Sequence, residues 1–401
     1  MKLFKNGEKE HLGLFYLHSI LQSSFALIWI YWIVFLMDQG FSFVIIGIAL
    51  AVNGLFMTLL EVPTGALADA YGRKASTILG FVGFATGMLI IPSITDPLLL
   101  IAVFAVWGLP ITLISGAAEA WVVDNLKAVK REDLIDDFFA KDQSINMIGF
   151  IFASILAGLV VKYWGIDMIW YISGVSMLAT IPILMIQKEY FIPEKLNLKD
   201  TMKQAGQNIK EGAKFSITNK QVFYLLIAMV FIAIGGEFVM VLKQPYMEFM
   251  DIPREFFGYI AAIGSALCVG TPFLAKAIGQ RTKNKNHYLA IHTLIFAAVM
   301  VAIIFINMAW LAALVLIILS VRWSMFNPIF EPYFQNVLPS EIRATMGSFR
   351  NMVYAAGLLI GDVILSLFTD SFGPGNMLVL GGLITLPAIL FFFSVKNKKF
   401  I

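Results

Sequence analysis

Uncharged runs long enough to cross a lipid bilayer recur along almost the whole chain, and no other feature restricts its folding as much. A helix rises about 1.5 Å per residue, so roughly 20 apolar residues span a hydrocarbon core about 30 Å thick. Such runs lie at His11 to Met37, Gln39 to Leu60, Ala75 to Thr95, Pro97 to Ala118, Gln143 to Val161, Met168 to Gln187 and Ser371 to Val395. Tyr288 to Val321 is too long for one crossing and reads as two, divided near Asn307. With less clean stretches near 221 to 248, 255 to 279 and 345 to 369, the expectation is an all-α membrane protein with twelve transmembrane helices. A β-barrel would show short alternating segments instead. Hydrophobic residues make up 59% of the 401 and charged residues 14%, a balance that no water-exposed surface of this size tolerates. The first run is too long for a cleavable signal, and no small-residue cleavage site follows its start. The one cysteine, Cys268, excludes a disulfide framework and reads as a small buried hydrophobe.

Lysine and arginine fall mostly on one side of these spans. That side holds Arg73, Lys74, Lys127, Lys130, Arg131, Lys141, the lysines from Lys188 to Lys220, Lys276, Arg281, Lys283, Lys285, Arg343 and Arg350. The tails add Lys2, Lys5, Lys9, Lys396, Lys398 and Lys399, against Lys162, Arg254 and Lys243 opposite. By the positive-inside rule both termini face the cytoplasm, which places the chain in a cytoplasmic membrane as a multi-pass protein. This asymmetry accounts for the net charge of +3 without nucleic acid, which would need a basic face on a soluble domain.

The polar, lysine-rich stretch 188–220 separates six spans (1–187) from six (221–401). The halves echo each other. Phe15, Tyr16, Leu17 opens the first span and Phe223, Tyr224, Leu225 the seventh, while Asn146, Met147 returns as Asn351, Met352. Glu119 and Glu331 each precede a polar residue, Asp124 or Asn336, by five positions. Matches in the same order indicate two pseudo-symmetric six-helix bundles with a cytoplasmic central loop, an arrangement suited to alternating access around a midplane site.

Between the second and third spans runs PTGALADAYGRKAS, from Pro63 to Ser76. Gly65, Asp69, Gly72, Arg73 and Lys74 there resemble the signature turn of the major facilitator superfamily (MFS). The resemblance implies that Gly65 permits close helix contact and Gly72 a tight turn. It also implies that Asp69 and Arg73 join an acid at the end of the fourth span, Asp124 here, in a charge cluster that locks the halves on the cytoplasmic side. A carboxylate, a guanidinium and a second carboxylate at the headgroup boundary satisfy one another, whereas any one alone would be costly. The second half keeps Pro272, Gly279, Arg281 and Lys283 but no acid matching Asp69. EVPTGALAD at Glu61 to Asp69 and SGAAEAWVVD at Ser115 to Asp124 are similar to bacterial drug efflux members of the tetracycline and macrolide type. Those antiporters usually carry an arginine early in the fourth span, where this chain has Phe104, and a Gly-Pro pair in the fifth, where it has Ala157 and Gly158.

Six ionisable residues interrupt the spans: Glu61, Glu119, Glu237, Arg322, Glu331 and Asp362. Each costs about 2.5 to 3.5 kcal/mol near the midplane, so each must be paired, wetted or used. Glu119, about 7 Å deeper than Asp124 along a helix, is the first candidate for carrying a proton, with Glu237 and Asp362 behind it. Glu61, beside Pro63, is assigned to gating. Gln22, Tyr31, Asn53, Glu119, Arg322 and Glu331 are candidates to line the substrate cavity. Arg322 and Glu331, about 13 Å apart along one helix, are not expected to pair, which leaves Arg322 for a neighbouring carboxylate or an anionic substrate.

His11, His18, His287 and His292 form no metal-ligand set, and no phosphate-binding loop of the GxxxxGK[ST] form occurs. An enzyme is therefore not expected, nor is a cofactor. The expectation is a monomeric secondary transporter, driven by protons or another ion, that exports a small amphipathic compound. A proton-coupled uptake symporter for a polar or anionic solute is the alternative within transport, and a non-transporting sensor or scaffold the alternative outside it.

Overall fold

The computed structural model describes residues 4–190, 198–282 and 284–395, and all regular structure among them is helical. Lys2, Lys195, Lys283, Lys396, Lys398 and Lys399, counted above for orientation, lie outside the described residues. The helices are α1 (Glu8–Ser24), α2 (Trp32–Asp38), α3 (Phe43–Tyr71), α4 (Arg73–Ile90), α5 (Pro97–Ala128), α6 (Ile135–Trp164) and α7 (Met168–Ile186). There follow α8 (Leu198–Thr218), α9 (Lys220–Phe249), α10 (Glu255–Arg281), α11 (Lys285–Ala302), α12 (Ala309–Ser320), α13 (Arg322–Asn336), α14 (Arg343–Thr385) and α15 (Pro387–Ser394).

Eleven stretches among the described residues are long and apolar enough to cross a membrane. The last, Thr345–Ser394, has 50 residues and so about 75 Å of helix, more than twice the bilayer core. It breaks at Gly373, whose φ of 76° and ψ of 160° leave the helical region, with Pro374 next. Counting that stretch as two gives the twelve crossings. The division expected near Asn307 lies between Phe305 and Ala309. Polar side chains close several helix ends: Asp96 accepts from the Leu99 N–H at 2.8 Å, and Asn219 from those of Gln221 and Val222 at 3.1 and 3.3 Å.

Chain contacts divide the molecule into two units, Met1–Phe35 with Val52–Lys203, and Leu36–Ala51 with Gln204–Ile401. The second therefore takes in α2's end and the first turns of α3. In the first unit α4 packs on α5 and α7, and α1 on α6 and α7. Its core is aromatic, with Phe84 stacked on Trp107 at 4.7 Å and Phe104 edge-on to Trp107 at 5.6 Å. In the second unit α9 lies along α14, and Leu225, Met229, Phe326, Phe330, Phe334 and Phe392 form the centre of the core. Large apolar side chains also cover the outside: Leu59 is 62% exposed, Val106 64%, Phe305 83% and Leu390 70%. In water such a surface would aggregate, whereas a bilayer supplies the apolar solvent it needs.

Candidate functional site

The turn between α3 and α4 is built around Gly72, whose φ of 108° and ψ of 138° suit a residue without a Cβ. A Cβ there would also stand 3.2 Å from a Glu189 carboxylate oxygen. Arg73 reaches out of this turn to Asp124 at 2.6 Å and to Asp69, four residues back across it, at 3.4 Å. The structure thus gathers the three charges that the motif pointed to. Lys74 does something else. Its Nζ donates to the carbonyls of Met185 and Gln187, both at 2.7 Å, where the exposed C-terminal dipole of α7 favours a cation.

The segment just after α7 completes this end of the unit, and its part was not legible from spacing. Glu189 accepts from the Lys74 backbone N–H at 2.9 Å, at the positive end of α4. Asn125 donates to the Lys188 carbonyl at 2.7 Å and accepts from the Tyr190 N–H at 3.0 Å, while Trp121 donates to the same carbonyl at 3.2 Å. In sequence these residues read only as the start of a polar linker. Gly72→Ala is expected to destabilise the protein by about 1–3 kcal/mol, from backbone strain and crowding of Glu189. Thermal unfolding in detergent would check this, and an unchanged Tm would show that the turn relaxes freely.

Other expected positions differ in the structure. Gly65 is exposed with open space where a Cβ would stand, so no close helix contact depends on it here. Tyr31 is fully buried and cannot face a cavity as packed. Asn53, half-buried, donates to the Phe104 carbonyl at 2.7 Å and so joins α3 to α5. Glu331 is ion-paired with Arg350 and accepts from Gln335 at 2.9 Å. Arg350 itself lies inside α14, not in a connection, because the ion pair with Glu331 offsets its burial. Glu61 and Glu119 are exposed, and among the described residues neither carboxylate has a hydrogen bond or ion pair. Glu119 follows a break in α5 at Ser115 (φ −51°, ψ −111°). Gln22 is half-buried.

Three of the intramembrane charges meet in the second unit. Glu237 on α9 is 9% exposed and Asp362 on α14 7%. Their carboxyl groups interact directly, and Glu237 also feels the charge of Arg322 on α13. Close helix approach makes this possible: a Cβ on Gly361 would stand 3.0 Å from the Glu237 Cβ, and one on Gly357 3.0 Å from the Val230 carbonyl oxygen. Arg322 donates to the Ile232 carbonyl at 3.3 Å, and its own carbonyl lies 3.1 Å from His292 Nε2. Its guanidinium occupies the place a side chain at Gly236 would take. One oxygen of Asp362 is buried without a hydrogen-bond partner. Two carboxylates in contact in a low-dielectric interior would repel strongly, and the adjacent guanidinium offsets part of that charge.

Twelve crossings and a chemistry confined to membrane-embedded charges define a polytopic membrane transporter. The chain belongs to the Major Facilitator Superfamily, whose family pattern matches residues 14–362. It is 25% identical over 377 residues to the uncharacterized MFS-type transporter YxaM of Bacillus subtilis (strain 168), covering 92% of this chain and 91% of that one. Among solved structures, the fold is similar to that of the nucleoside transporter NupG, with a TM-score of 0.78 at 15% identity over 98% of this chain and 100% of that one. A bacterial homologue of the iron transporter ferroportin is also similar, with a TM-score of 0.76 at 14% identity over 97% and 99% of the two chains.

Proposed function

We propose that the protein is a proton-coupled secondary transporter working by alternating access, with 1–187 and 221–401 as its two bundles and 188–220 as a cytoplasmic loop. The observation that carries the coupling is the buried Glu237–Asp362 pair beside Arg322. A carboxyl pair that exchanges one proton, with a cation at hand to stabilise the emptied state, is the minimal apparatus for coupling a gradient to a conformational change. This assigns the proton to Glu237 and Asp362 ahead of Glu119, which is exposed. Glu119, Gln22, Asn53, Glu331 and Arg322 remain the candidates to meet substrate.

The orientation rests on the lysine and arginine asymmetry, which puts the Asp69–Arg73–Asp124 cluster on the cytoplasmic side as a latch, with Gly72 and Lys74 shaping its turn and Glu61 beside it. Export of a small amphipathic compound is supported by the resemblance of 61–69 and 115–124 to drug efflux members. The test is reconstitution in liposomes with an imposed pH gradient and a screen of dyes, antibiotics and sugars. Gradient-dependent dye movement is the expected result. Gradient-driven accumulation of a polar solute would replace the exporter by a symporter, and movement indifferent to the gradient would remove proton coupling.

A further inference from the structure

Asp362 stands on a face of α14 that continues toward Asp370 through Ser366. Positions 362, 366 and 370 are four apart, so they share one helix face, and Asp370 lies about 12 Å from Asp362 along the axis. That face meets residues 36–51, the tip formed by the end of α2 and the first turns of α3. Asp370 accepts from the backbone N–H groups of Phe43 and Val44 at 3.1 and 3.3 Å, two donors that no helical carbonyl can satisfy. Ser42 accepts from the third, Ile45, at 3.4 Å. One turn on, α3 and α14 touch through their backbones: a Cβ on Gly47 would stand 2.9 Å from Ser366 Cα and 3.0 Å from the carbonyl oxygen of Asp362 itself.

A second attachment holds the same tip. Arg254, between α9 and α10, donates to both Asp38 oxygens at 2.6 and 2.9 Å and to Glu248 at 2.6 and 3.0 Å. Hydrogen bonds to Glu248 and Asp38 raise the guanidinium further above its ordinary value, so it stays charged. The bidentate geometry is that of the stronger ion pairs. By contacts, 36–51 belongs to the second unit, yet the chain continues into the first unit at both ends, at Phe35 and Val52. The tip is therefore held by contacts within the second unit, at the two points where the chain enters and leaves it.

We propose that Asp370, Gly47, Asp38 and Arg254 form a clasp on the tip 36–51, and that α14 connects this clasp to the Glu237–Asp362 pair, so that the state of the pair sets how firmly the tip is held. The proposal rests on the reading of that pair as the coupling site. Asp362 acts at both places, because its side chain belongs to the pair while its carbonyl abuts Gly47. The groups facing the Asp362 carboxyl are Glu237 on α9 and, around Glu237, Arg322 on α13 and Tyr354 on α14.

Hydrogen–deuterium exchange of the full-length protein in lipid nanodiscs tests the proposal. Asp370→Ala is expected to speed exchange of the 43–46 amides about fivefold, the effect of a lost helix cap, with Asp370→Asn, which keeps one acceptor oxygen, in between. Asp362→Asn is expected to change exchange of the same amides at least about twofold from two turns away. Glu237→Gln is expected to do likewise, and serves if Asp362→Asn does not fold. No change at 43–46 in Asp370→Ala overturns the clasp. Acceleration in Asp370→Ala with no change in Asp362→Asn and Glu237→Gln overturns its link to the acid pair. Uphill transport by Glu237→Gln would defeat the coupling reading separately, since the exchange measurement needs no transport.

Discussion

Glu237→Gln is expected to lower gradient-driven transport on the order of a hundredfold, the upper part of the range for a coupling free energy between two ligands. Glutamine keeps the size and the hydrogen bonding of the acid, so the helix contact between Glu237 and Gly361 survives while the titrating group is lost. Exchange of substrate without a gradient is expected to stay within a few-fold, because alternating access itself needs no net proton movement once the shared proton of the pair is gone, while Asp362 and Arg322 both remain at the site. Asp362→Asn should give the same split between uphill transport and exchange. Glu119→Gln, at an exposed position, should retain gradient-driven movement. The measurement is paired uptake and exchange in liposomes with and without a pH gradient. If Glu237→Gln concentrates substrate normally and Glu119→Gln does not, the proton belongs to the first unit.

The largest effect on stability is expected at the opposite end of the chain, from Lys141→Met. Glu8, at the start of α1, is fully buried, and its carboxylate is held by Lys141 at 2.5 Å, by the Tyr16 hydroxyl at 3.0 Å and by the Lys5 backbone N–H at 2.7 Å. Removing the cation leaves a buried carboxylate with two neutral donors, an imbalance that costs about 3–5 kcal/mol when the pair is wholly buried. Lys141 is 27% exposed, so water relieves part of this and about 2–4 kcal/mol remains. Adding Glu8→Gln should recover a large share, because the charge that lacked a partner is gone. Unfolding of single and double variants in detergent measures the cycle. A Lys141→Met protein as stable as the parent would mean that water reaches Glu8.

Lys141 shows where sequence reading stops. Spacing counted it only as one more cation on the cytoplasmic side, and its partner lies 133 positions away in the chain. Glu331 was legible as a charge needing a partner, but not that Arg350 would supply it, since the two stand on different helices. Asn53 and Tyr31 looked like cavity residues because they are polar or amphipathic within apolar spans. Packing used one as an interhelical hydrogen bond and buried the other. Glu189 and Asp370 gave no local signal, because each acts on the backbone of a helix distant in sequence.

Local chemistry alone determined the helical class, the number of crossings and the charged turn at Asp69 to Lys74. Each depends on properties that need no distant partner: run length against bilayer thickness, a glycine at a strained turn, and charges a few residues apart in the chain. Only the tertiary structure decided which intramembrane charges work together. An isolated carboxylate in a span says that a partner must exist, while the identity of that partner depends on which helix faces pack. The closeness of α9 and α14 at Gly357 and Gly361 brought Glu237 to Asp362.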